Sequence, residues 1–122
     1  MEQTLTPTTC WSTEAFRRHG ELVLRLLGDF VERSRRGDGA VVHLESVGAL
    51  IRGLGIEELI AEGDVSDGRL EAFVRRFLEE STRLQHPGYV AHQIALPHYG
   101  AALADLISGV LNNGMSVYEM GP

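Results

Sequence analysis

Residues 12–36 read STEAFRRHGELVLRLLGDFVERSRR, and this stretch decides the fold class. Phe16, Val23, Leu26, Leu27, Phe30 and Val31 recur at three- and four-residue steps, the spacing that gathers side chains on one side of an α-helix. Arg17, Arg18, Glu21, Arg25, Asp29, Glu32 and Arg33 fall largely elsewhere, so the helix is amphipathic. Ser12 or Thr13 is placed to cap its start, and Glu14 lies in the first turn, where the helix dipole favours an anion. Arg35 and Arg36 stand at the negative pole, and Gly37-Asp38-Gly39 breaks the pattern.

The same reasoning extends outward. Residues 1–11 are Thr-rich, contain Pro7 and show no period, so a flexible N-terminal arm is expected there. Past the glycine breaker, Val41, Val42 and Leu44 suit a short extended piece. Val47, Leu50, Ile51 and Leu54, then Ile56, Leu59 and Ile60, have helical spacing on either side of Gly53 and Gly55. Two short helices with a glycine hinge follow from that pattern. Asp64 to Gly68 reads as a loop supplying a cap at Ser66 or Asp67. Leu70, Phe73, Val74, Phe77 and Leu78 then line a second long helix, whose polar side offers the pairs Glu71–Arg75, Arg75–Glu79 and Arg76–Glu80. The pattern fades at Leu84, and His86-Pro87 is expected to end the helix, because the residue before a proline leaves the helical region. Residues 88–95 suit an extended segment or loop, and Pro97 suits the first turn of a last helix. That helix carries Tyr99, Leu103, Leu106, Ile107 and Val110 on one face, with small Gly100, Ala101, Ala102 and Ala104 allowing close approach. Asn112-Asn113-Gly114 offers its C-cap, and residues 115–122 are apolar enough to be buried. The expected class is mainly α, with residues 12–122 as one helical segment.

The totals narrow the function. A chain of 122 residues can bury about two-thirds of its unfolded surface. Its 43% hydrophobic and 23% charged residues are ordinary for a soluble protein. A net charge of -6 argues against nucleic acid or an anionic membrane as partner. No apolar run reaches the roughly 18 residues that a membrane span needs. MEQTLTPTTCWSTE has neither a positive n-region nor an apolar h-region, and the single Cys10 has no internal disulfide partner, so a cytoplasmic location is expected. All 11 basic residues are arginine. A guanidinium does not become a neutral nucleophilic amine, so the chain cannot form a lysine Schiff base.

Three histidines, His86, His92 and His98, follow at six-residue steps. In an extended chain this interval spans roughly 20 Å, too far for one coordination sphere, and no acidic or thiol ligand lies nearby. No metal site is expected. Nor is there a Gly-x-Ser-x-Gly elbow, a base partner for Cys10, or a glycine loop between a strand and a helix. His92-Gln93 has two readings: solvated loop residues, or an imidazole and a carboxamide donating to a substrate carboxylate beside a rigid proline turn.

His86-Pro87-Gly88-Tyr89, Ala91-His92-Gln93, Leu103-Ala104-Asp105-Leu106, Asn112-Asn113 and Val117-Tyr118-Glu119-Met120-Gly121-Pro122 together resemble the N-terminal region of the group II pyridoxal-phosphate decarboxylases, the glutamate and aromatic amino acid decarboxylase family. Phe16-Arg17-Arg18-His19-Gly20 resembles the beginning of that family, so the resemblance covers about residues 12–122. It implies the helical arm of an aspartate aminotransferase-like (fold type I) enzyme that acts as a homodimer. The large domain, with the cofactor lysine and pyridoxal 5'-phosphate, would be absent from this chain, in keeping with its lack of lysine. By resemblance His92 and Gln93, with Tyr89, line the substrate site, and Gly114, Met115 and Ser116 line the pocket of the neighbouring subunit. No catalytic residue is implied on this chain, which alone should be inactive. His92-Gln93 departs from both the aromatic and the glutamate patterns and leans towards a polar or acidic amino acid. The competing expectation is a free-standing helical interaction module without chemistry.

Overall fold

Ser12, in extended conformation, accepts a hydrogen bond from the Ala15 amide at 3.3 Å and starts α1, Thr13–Arg35. The computed structural model describes residues 12–62, 65–90 and 94–112. Among them lie α1, α2 (Val47–Leu54), α3 (Ile56–Glu62), α4 (Asp67–Glu80) and α5 (Tyr99–Leu111), with no strand. The described residues are therefore mainly α, and no helix among them is long and apolar enough to cross a membrane. The 1–11 arm and the 115–122 tail lie outside the described residues. The chain divides into two units at Val90 and Ala91.

In the first unit α1 packs on α4. Its buried positions are Ala15 (6% exposed), Leu26 (3%), Phe30 (8%) and Ser34. The apolar stripe of the sequence is broader than this face: Phe16 and Leu27 remain 54% and 40% exposed, and Leu24 is 52% exposed. Successive helical residues are about 100° apart, so Leu26 and Leu27 cannot both face one neighbouring helix. α1 ends in a Schellman motif, in which the Gly37 amide donates to the Ser34 carbonyl and the Asp38 amide to the Arg33 carbonyl, each at 3.0 Å.

Ser46 caps α2 by accepting from the Ala49 amide at 3.2 Å. The hinge falls at Gly55, whose φ of 63° and ψ of 33° close α2 in the left-handed region that a side chain disfavours. Gly53 lies inside α2 and serves packing instead. A Cβ there would come within 3.0 Å of the Arg76 guanidinium, which lies across it from α4. Arg76 also reaches Glu80 at 2.9 Å and Glu45 at 3.6 Å, tying α4 to the segment before α2. Residues 41–46, where an extended piece was conceivable, form no strand.

Ser66 is the N-cap of α4, accepting from the Arg69 amide at 3.3 Å. The pair Glu71–Arg75 closes at 2.6 Å. α4 stops at Glu80, short of the Leu84 to Pro87 boundary expected from the sequence. Two bonds account for the early stop. The Ser81 hydroxyl donates to the Phe77 carbonyl at 2.7 Å, and the Arg83 amide leaves the helical register for the Val41 carbonyl at 2.9 Å.

In the second unit the His98 imidazole caps α5, accepting from the Gly100 amide at 3.2 Å. Pro97 therefore precedes the cap rather than sitting in the first turn. Asn112, at φ 44°, ends α5, and its amide donates to the Ser108 carbonyl at 2.9 Å. Every described residue of α5 is exposed, including Tyr99, Leu103, Leu106, Ile107 and Val110.

Candidate functional site

The segment bearing the expected site begins at Arg83, a residue nothing in the local sequence marks. Arg83 is only 5% exposed. Its Nη1 donates to the Ser34 hydroxyl at 3.1 Å, and that hydroxyl in turn donates to the Phe30 carbonyl at 2.7 Å. The guanidinium carbon lies 4.7 Å from the centre of the Phe30 ring. Gly39 makes the room: a Cβ there would be 3.1 Å from Arg83 Nε. Among the described residues no carboxylate pairs with this guanidinium, and its Nε has no hydrogen-bond partner. Phe30 and Ser34 belong to the last turns of α1, so the negative pole of that helix supplies the compensating field.

From Arg83 the backbone steps through two turns. The His86 amide donates to the Arg83 carbonyl at 3.0 Å, and the Tyr89 amide donates to the His86 carbonyl at 2.9 Å. The Gly88 amide donates to His86 Nδ1 at 2.9 Å. Tyr89 is thereby held half-buried. His92, Gln93, Gly114, Met115 and Ser116 lie outside the described residues, so Tyr89 alone of the expected site residues has a described place.

Two of the three evenly spaced histidines have local duties: His86 and His98 each accept through Nδ1 from an amide two residues on. Among the described residues no group of three His, Cys, Asp or Glu could hold an ion.

A second cluster escaped the sequence reading because its members are 48 and 49 residues apart. Arg18 grips Asp67 with both ends of its fork, at 2.6 and 3.1 Å, and His19 Nε2 lies 2.8 Å from Asp67 Oδ1. The Arg18 bonds, then the His19 bond, hold the Asp67 carboxyl below the usual carboxylate range, and Asp67 raises Arg18. The His–Asp pair has the look of a catalytic dyad. The adjacent Ser66 hydroxyl, however, is spent on the cap of α4, and Asp67 is already occupied by a guanidinium. The cluster clamps α1 to the start of α4.

A groove of about 240 Å³ between α1 and α4 has a floor of Leu26, Phe30 and Leu78. Three carboxylates and three guanidinium groups ring it, so it favours neither anion nor cation, and no expected site residue lines it. No family model, curated protein or solved structure matches the chain.

Proposed function

We propose that this chain is the N-terminal part of a cytoplasmic, pyridoxal-phosphate-dependent amino acid decarboxylase. In this reading it packs at a dimer interface and lines the substrate pocket. The observation that carries it is the imbalance of apolar burial. In the first unit three hydrophobic side chains are buried and eleven large ones are exposed among the described residues. A stable soluble monomer does not leave its helices so uncovered, whereas an arm completed by a larger domain does. The order of motifs from His86 to Pro122, which resembles that of the group II decarboxylases, supports a pyridoxal-phosphate domain as that partner.

The residues present do not fit the cofactor itself. The chain has no lysine, so in this reading pyridoxal phosphate would be held by a large domain outside it, where it would supply an electron sink for loss of the substrate carboxylate. The contribution of this chain is placement. The Arg83 to Tyr89 turns hold Tyr89 half-buried. His92 and Gln93, which lie outside the described residues, would in this reading supply an imidazole and a carboxamide that orient the carboxylate and exclude water.

The test mixes this chain with a lysine-bearing large domain of the family and follows the visible absorbance of the bound cofactor together with carbon dioxide release. Activity should appear only in the mixture and should fall when His92→Ala and Gln93→Ala are combined. A confirmed complex that keeps full turnover with both substitutions removes the pocket role. A well-packed monomer that binds no such domain points instead to the interaction module.

A further inference from the structure

We propose that Arg83 is a positioning residue: its buried guanidinium, seated on the C-terminal end of α1, holds the 83–90 turns and with them Tyr89. This rests on the proposed function for the importance of Tyr89, but not for the geometry.

The first ground is that arginine is a poor choice for mere filling. A guanidinium taken out of water without a carboxylate loses hydration that an apolar side chain of similar size would not lose. Arg83 Nε is left without a partner among the described residues, so the site is not tuned for maximal stability. What arginine supplies in return is orientation from three sides. Nη1 is fixed by the Ser34 hydroxyl, the Phe30 ring lies against the guanidinium, and Gly39 leaves room for its edge, where a Cβ would come within 3.1 to 3.3 Å. A methionine offers none of these directions. A lysine keeps the charge at the helix pole but presents no plane.

The second ground is connectivity. The Arg83 amide bonds to Val41 in the loop beyond α1, while its carbonyl accepts from His86, whose own carbonyl accepts from Tyr89. The His86 ring lies beside Gly37, where a Cβ would be 3.7 Å from Nε2. The Arg83 side chain therefore seats this run of turns on the last turn of α1 beside Gly39, and the His86 ring seats it beside Gly37. Loss of the anchor should free the turns before it unfolds the helices.

Amide hydrogen exchange on the 122-residue chain makes the distinction. In Arg83→Met, the His86, Gly88 and Tyr89 amides should exchange about tenfold faster, while amides of Phe73 to Phe77 in α4 change by less than about threefold. Arg83→Lys should recover part of the protection. Ser34→Ala removes only the hydroxyl relay and should accelerate the same three amides by about threefold, which decides the matter if Arg83→Met does not fold. Equal acceleration in the turns and in α4 would mean that Arg83 serves only global stability, and it overturns the proposal; so does unchanged exchange at the three amides. Exchange is read without any enzymatic assay. Loosened turns with unchanged decarboxylation would therefore refute the pocket role of Tyr89 and leave the role of Arg83 standing.

Discussion

Leu26 and Leu27 are neighbours in sequence and identical in chemistry, yet the packing of α1 predicts different costs for their removal. Leu26 is 3% exposed and Leu27 40% exposed. Leucine to alanine removes the equivalent of about three methylenes, worth about 2.4 kcal/mol when fully buried. At Leu26 the neighbouring side chains close only partly over the gap, and the cavity brings the loss to about 3 kcal/mol. At Leu27 about 60% of the residue is covered and the gap opens to water, so the loss is about 1.4 kcal/mol. The gap of about 1.6 kcal/mol corresponds to roughly 15-fold in the folding equilibrium. Urea unfolding followed by the helical dichroism signal measures it, provided that slopes are unchanged and midpoints do not depend on protein concentration. Equal losses for Leu26→Ala and Leu27→Ala, or a larger loss at Leu27, would refute the assignment of the packed face.

Two further outcomes are expected. The Asp67 carboxyl is held below its usual range by Arg18 and then His19, so its contribution is present above the unfolded-state pKa and fades as pH falls through the lowered folded value. Both partners are about half-exposed, so solvent and salt screen the clamp, and Asp67→Asn should flatten the stability profile below about pH 4 and reduce its dependence on salt. Superimposable acid limbs for the two proteins would show that the clamp contributes nothing. His98→Ala removes the N-cap of α5 and should cost about 1 kcal/mol of local helix stability. The Gly100 amide shift should move while those of α4 stay, and an unmoved Gly100 amide would show that the imidazole does not cap α5.

What the sequence disclosed was local. Ser12 and Ser66 reveal helix starts because a cap bonds to an amide three residues on, and Gly55 reveals the hinge because only its own backbone must turn left-handed. The end of α4 was misread for the opposite reason. Pro87 forbids helix beyond a point, but the chain leaves earlier, drawn by the Val41 carbonyl some forty residues away in sequence. The Arg18–Asp67 and Arg83–Ser34 pairs span 49 residues each, and no periodicity reports such contacts. The histidines show a signal that was readable. His86-x-Gly88 and His98-x-Gly100 repeat one arrangement, an imidazole two residues before a glycine amide, and it accounts for both without an ion. Of the expected site only Tyr89 falls among the described residues.

The two apolar sides of α1 link folding to assembly. One side, around Leu26 and Phe30, is used within the chain; the other, around Phe16, Leu24 and Leu27, is left to water. α2 and α3, at 8 and 7 residues, are shorter than the roughly 12 that a helix needs to persist alone, so α2 depends on the surface that α4 gives it, and α3 on α2. A partner that covers the free side of α1 binds the folded chain and not the unfolded one. At a hundred times its dissociation constant it adds about 2.7 kcal/mol. That is close to what Leu26 contributes from inside. An internal defect such as Leu26→Ala should therefore be severe in the isolated chain and largely silent in the assembled one. A surface change such as Leu27→Ser should do the reverse, leaving the chain folded and weakening the complex. If both substitutions act alike in isolation and in assembly, the exposed side of α1 is not an interface and the arm does not complete a larger domain.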